Sequence, residues 1–210
     1  ARFPTRRLRI PSVPAGATAT PRRGWRRGRA GCAGGSRGRE WLTGVRERGE
    51  GVDGQQPFAV ILGCSDSRVP VEMVFDQDLG DLFVIRVAGH VVAPSQIGSV
   101  EYAAAKFGTN LVVVLGHSRC GAVRAAVEEL QRPSADQSPH LKAIVDRIRP
   151  AVGKIVSENP GDDTNALVDK AVRANIRHAV ETLRQGSEMI AGRIRSNGLR
   201  VVGAEYSLET

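Results

Sequence analysis

Apolar positions along the chain follow two rhythms. Four short runs are almost uninterrupted: Phe58-Ala-Val-Ile-Leu-Gly63, Leu82-Phe-Val-Ile-Arg-Val87, Leu111-Val-Val-Val-Leu-Gly116 and Leu199-Arg-Val-Val-Gly-Ala204. Short β-branched runs without polar alternation read as strands buried on both faces, and hence as a parallel sheet. Between them, apolar residues recur at helical spacing. Residues 95–107 follow a proline and open on a serine suited to capping. Residues 119–130 carry Val123, Val127 and Leu130 on one face. Residues 141–156 repeat Ile144, Val145, Ile148 and Val152, and Pro150 predicts a kink or a split there. Residues 163–194 read as one long helical stretch through Leu167, Val172, Ile176, Val180 and Leu183. Strands alternating with helices predict an α/β fold, a central mostly parallel β-sheet flanked by helices on both faces. Sites in such sheets lie at the carboxyl ends of the strands.

Neither rhythm is present in residues 1–54. This segment holds 13 arginines, no lysine, four acids and 11 of the 24 glycines, a net charge of +9. The remaining 17 basic and 18 acidic residues leave 55–210 at −1. The basic character of the chain therefore belongs to its first quarter, and the net charge of the rest gives no reason to expect a polyanion-binding surface. A segment this poor in apolar pattern cannot bury enough surface to offset its ordering entropy. It predicts an extension outside a folded domain of 55–210, disordered or a coding artefact. A flexible basic arm and an Arg-rich organellar transit peptide are the other readings. No specific nucleic-acid partner is expected. No run of about 18 apolar residues is present, so no transmembrane helix and no membrane partner are expected. Without a secretory leader the default location is the cytoplasm.

Two polar clusters follow two of the predicted strands. Cys64-Ser-Asp66-Ser-Arg68 comes after the first, and Gly116-His117-Ser-Arg-Cys120-Gly121 after the third. Cys64, Asp66, His117 and Cys120 together offer S, O, N and S donors, a tetrahedral set suited to Zn²⁺, one ion per chain. Cys64 and Asp66, two apart, project to one side of an extended segment. His117 and Cys120, three apart, neighbour each other on a first helical turn. Gly116 and Gly121 are read as permitting a tight turn and close backbone approach. Structural zinc sites are closed and cysteine-rich, whereas here one donor is a carboxylate with Arg68 two residues away. A carboxylate that can exchange zinc for an arginine would open a coordination position, which favours a catalytic site. Thiol phosphatase chemistry is excluded. It needs an arginine six residues after the cysteine, and those positions are Pro70 and Ala126.

These residues resemble the motifs of bacterial β-class carbonic anhydrases. Cys64-Ser-Asp-Ser-Arg68 is similar to that family's CxDxR, and His117-Ser-Arg-Cys120 to its HxxC. The segments 75–89 and 98–102 are also similar, and the resemblance covers roughly 55–209. It implies a β-carbonic anhydrase-like fold. It further implies reversible hydration of CO₂ to bicarbonate and a proton through zinc-bound hydroxide. Cys64, His117 and Cys120 would be permanent ligands, and Asp66 an exchangeable fourth ligand whose alternative partner is Arg68, the two forming the catalytic dyad. Gln55 would hydrogen-bond substrate, and Phe83, Ala88 and Tyr102 would line an apolar pocket at a subunit interface. The Gly121 amide would lie near the reacting oxygen. Family members are dimers or dimers of dimers. They begin with one or two amphipathic helices that residues 1–54 do not resemble, and they continue past the equivalent of Thr210. Some carry a non-catalytic bicarbonate site. Its arginine and tyrosine correspond to Arg86 and Tyr206, but its tryptophan position holds Ile61, so that site is not expected. A CS₂ or COS hydrolase on the same scaffold is one alternative. An inactive zinc-stabilised binding protein with a basic arm is the other. His90 and His140 are proton-shuttle candidates by residue type alone.

Overall fold

The computed structural model describes residues 8–9, 54–134 and 138–209. Strand β1 (Leu8–Arg9) is followed by β2 (Ala59–Gly63), α1 (Val71–Phe75), β3 (Leu82–Arg86) and α2 (Pro94–Phe107). Then come β4 (Leu111–His117), α3 (Gly121–Gln131), α4 (Pro139–Glu158), α5 (Thr164–Gln185), α6 (Glu188–Ser196) and β5 (Arg200–Tyr206). All four predicted strands and the alternating α/β order are present. Apart from β1 and Gly54, the expected extension of 1–54 lies outside the described residues.

The sheet order is β1-β5-β4-β2-β3. β2 to β5 are parallel, and β1 joins the edge of β5 antiparallel. Each sheet face collects alternate residues of the same strand. Val60, Leu62, Val112 and Val114 enter a large core under α2, α3, α4 and α5, while Ala59, Ile61, Val113 and Leu115 enter a smaller cluster with Val69 and Val71 beside α1. The flanking is thus unequal, with most of the helical mass on one face.

The chain leaves β2 for β3 on one side, then crosses back to place β4 on the other. The carboxyl ends of β2 and β4 therefore face each other at the point where strand order reverses, the position at which open α/β sheets hold their ligands.

One helical expectation is narrowed and another needs correction. α4 is not split at Pro150 but continues to Glu158. Ile148 and Val152, on either side of the proline, are both fully buried. That packing offsets the cost of a proline inside a helix, about 3 kcal/mol from its missing N–H and its ring clash. Conversely, residues 163–194 do not form one helix. α5 ends at Gly186, and Ser187 starts α6 by accepting a hydrogen bond from the Ile190 amide. The buried stripe of α5 runs from Leu167 to Leu183, against the sheet and α4.

Candidate metal centre

Cys64 is the first residue after β2, His117 is the last of β4, and Cys120 caps α3. Their donor atoms lie within 4.8 Å of one another, and all three residues are buried. The two Sγ atoms are 4.0 Å apart. Two thiolates about 2.3 Å from one tetrahedral ion would be about 3.8 Å apart, so the spacing suits zinc. His117 Nδ1 donates to the Ser118 carbonyl at 2.9 Å. Its Nε2 is buried without a hydrogen-bond partner. An imidazole nitrogen stranded beside two thiols is what a metal would satisfy, and two sulfurs with one nitrogen form a soft donor set.

Hydrogen bonding between the sulfurs brings the Cys64 thiol down to about 3 and pushes the Cys120 thiol up, burial adding to the rise. The Gly89 amide donates to Cys64 Sγ at 3.4 Å, and the Ala122 and Val123 amides at the start of α3 favour a Cys120 thiolate. Burial disfavours a charged His117, but Cys64, the Ser118 carbonyl and Asp66 outweigh it and raise its pKa. The cluster thus already stabilises negative sulfur, and a divalent cation would complete it.

Asp66 lies beside the cluster, its Oδ2 3.8 Å from His117 Nε2. Its two oxygens are engaged by Arg68: Nε donates to Oδ1 at 2.9 Å and Nη2 to Oδ2 at 2.7 Å. The Arg68 amide adds a third bond to Oδ1 at 3.0 Å. These bonds hold the Asp66 carboxyl well below the usual carboxylate range, against its partial burial. Three of the four expected ligands are therefore gathered, and the fourth is on its alternative partner.

Among the expected pocket residues, Phe83 and Tyr102 come together, with ring centroids 6.1 Å apart, and Phe107 joins both. Ala88 is half-buried, next to the Gly89 that donates to Cys64. Gly121 is the exposed first residue of α3. Gln55 is exposed on the approach to β2. Neither glycine flanking the His117–Cys120 segment makes the expected turn. The left-handed residue is Arg119, at φ 54. Gly116 instead accommodates Ile176 of α5, whose side chain lies 2.5 Å from where a Cβ would stand. Gly121 has open space at the same position.

His90 is unsuited to carrying protons to solvent. It is fully buried, accepts a hydrogen bond from Asn175 at Nε2 (3.0 Å), and is driven by burial down to about 4. His140 is exposed in the first turn of α4. A cavity of about 230 Å³ between α4 and α5 is lined by none of these site residues except indirectly, through Asn175.

The sequence reading missed two groups of contacts. The Arg86 guanidinium, on β3, spans the Cys64 carbonyl (2.9 Å) and the Asp66 carbonyl (2.6 Å), fixing the backbone of that loop. Ser118 and Arg119 contact Glu209 near the far end of the chain. An arginine at the end of an apolar run was the available signal for the first. For the second, the sequence held none.

Comparison with known proteins agrees with this geometry. The family profile described as carbonic anhydrase matches residues 59–210. Carbonic anhydrase 2 of Mycobacterium tuberculosis is 39% identical over 156 residues, 74% of this chain and 72% of that protein. The carbonic anhydrase of Mycolicibacterium smegmatis is 36% identical over 165 residues, 79% of this chain and 77% of that protein. Crystal structures of two tetrameric β-carbonic anhydrases from Sordaria macrospora include a chain superposing with a TM-score of 0.67. It is 25% identical, and the match covers 75% of this chain and 79% of that one. A parallel sheet with a buried Cys-His-Cys group at its switch point, the family match and these relatives converge: the chain belongs to the β-class carbonic anhydrases.

Proposed function

We propose that the protein catalyses the reversible hydration of CO₂ to bicarbonate and a proton, with one Zn²⁺ held by Cys64, His117 and Cys120. The observation that carries the reading is the buried Cys64–His117–Cys120 group with the Asp66–Arg68 pair at its edge. When bound, the ion supplies the Lewis acidity that makes water deprotonation accessible near pH ~7.

The chain's own residues do the rest. Arg68 ties down both Asp66 oxygens, so the carboxylate is ionised throughout the neutral range and points in one direction. Asp66 can then accept a hydrogen bond from the attacking water and orient its lone pair towards carbon, without holding the proton itself. Phe83, Ala88 and Tyr102 give CO₂, which has no dipole, an apolar place to sit and exclude competing water. The Gly121 amide, beside Cys120, and the Gln55 side chain are the donors assigned to the substrate oxygens. Arg86 keeps Cys64 and Asp66 in register by holding both carbonyls. Asp66 serves as an exchangeable fourth ligand when it leaves Arg68. We also assign the chain to a homo-oligomer, since relatives of this fold are tetrameric.

Stopped-flow CO₂ hydration, with zinc measured on the same sample, tests the reading. Parent protein with one zinc per chain should turn over. Asp66→Asn should keep its zinc and lose on the order of 10²-fold in kcat/KM. Equal turnover by the two at equal zinc content would remove the dyad from the mechanism. A fully loaded parent without turnover would remove the activity.

A further inference from the structure

The segment that follows β5 folds back over the turn carrying His117 and Cys120. The Ser118 amide donates to the Tyr206 carbonyl at 3.0 Å. The Leu208 amide donates to Ser118 Oγ at 2.9 Å, and that hydroxyl donates to Glu209 Oε2 at 2.7 Å. The other carboxylate oxygen, Oε1, takes Arg119 Nε at 2.6 Å. Glu209 thus bridges the two residues that separate His117 from Cys120, gripping one with each oxygen.

What those two residues do in turn is specific. The Ser118 carbonyl accepts from His117 Nδ1, which turns Nε2 towards the two sulfurs. Arg119 is held at φ 54, a conformation that a non-glycine residue keeps only when its surroundings over-determine it. Its carbonyl is thereby turned to within 3.4 Å of Arg68 Nη2, the same nitrogen that binds Asp66. One carboxylate more than 80 positions along the chain is therefore linked, through two adjacent residues, to the imidazole and to the Asp66–Arg68 pair.

We infer that Glu209 is a positioning residue for the metal centre, locking the Ser118–Arg119 turn so that His117 Nε2 and Arg68 face the metal and Asp66. The inference rests on the zinc reading above. An exposed ion pair adds little to fold stability, so the effect belongs in the metal's retention rather than in the melting temperature. Partners behind a metal-bound histidine fix its ring, and losing them weakens metal binding 10- to 100-fold as a rule.

The test is zinc release from the loaded full-length protein into a chromogenic chelator. Glu209→Ala should release zinc about tenfold faster than the parent, Ser118→Ala should do the same, and Glu209→Gln should fall between. The double variant should be no faster than the faster single one, because both act through one path. Melting of the metal-free proteins should not move. If Glu209→Ala folds poorly, the isosteric Glu209→Gln carries the comparison. Parent release rates in every variant overturn the inference. So does faster release matched by an equal loss of metal-free stability, which assigns Glu209 a purely structural role, and so does additivity in the double variant. A parent that retains no zinc after dialysis overturns the zinc reading, and this inference with it.

Discussion

At the scale of single residues, His90 shows how burial alone gives a side chain a pH signature. It is fully buried, its Nε2 is taken by Asn175, its Nδ1 has no partner, and its pKa falls from 6.5 to about 4. The unfolded chain therefore takes up a proton at this position first as pH drops. Between about 6.5 and 4 the unfolded state binds more protons, so stability from this residue is complete above that window and is lost on descending through it. His90→Asn removes the titrating group, and asparagine tolerates the φ of 44 found here. Denaturant unfolding of parent and variant across pH 4 to 7 should show the parent losing of order 3 kcal/mol more than the variant. Parallel pH profiles would assign the acid loss to other groups. Position 90 looked like a possible proton carrier in sequence because type was all the sequence offered; its hydrogen-bond partner, Asn175 of α5, lies 85 positions away.

At the scale of elements, β2 and β4 were legible because both of their faces are buried, which leaves the unbroken runs Val60-Ile-Leu62 and Val112-Val-Val114. The four polar residues at the ends of β2 and β4 were legible because each pair is local. What could not be read depends on distant contacts: Arg86 on the Cys64 and Asp66 carbonyls, Glu209 on Ser118, and the weight of packing that carries α4 through Pro150. The seat of α5 is another such case. Gly203 on β5 and Gly116 on β4 make a trough for Ile176, and a Cβ on Gly203 would stand 2.5 Å from Ile176 Cγ2. That atom sits on the branched, stiff part of the side chain, so it cannot swing away. Gly203→Ala should cost about 1–3 kcal/mol in denaturant unfolding, as overpacking does. Gly121→Ala, with open space at its Cβ, is the control and should change stability by less than about 0.5 kcal/mol. In the Gly203→Ala, Ile176→Ala pair the losses should fall short of their sum, since the second change makes the room the first one needs. Strict additivity would mean that α5 does not rest in this trough.

At the scale of the whole molecule, apolar surface is left exposed beside an edge strand of the sheet. β3 is one of the two edge strands, and Tyr102 of α2 lies over Phe83 of β3 and Phe107 while staying 53% exposed. Phe58, Met73 and Leu79 are exposed as well. Large apolar side chains left facing water on an edge mark interaction surfaces, and the near-neutral charge of residues 55–210 raises no general repulsion between copies. Phe83 and Tyr102 are also the residues assigned to the CO₂ pocket, so assembly and catalysis should share this face. Two outcomes follow from that overlap. Sedimentation should show the parent self-associated, and Tyr102→Glu, which places a charge in the aromatic cluster, should shift it towards monomer at equal concentration. The parent's specific activity should also fall on dilution into the range where it dissociates, with zinc per chain unchanged, because the metal donors all come from one chain whereas the proposed pocket draws on a second. A parent that stays monomeric, or one whose specific activity is flat through its own dissociation, would place the whole pocket within a single chain.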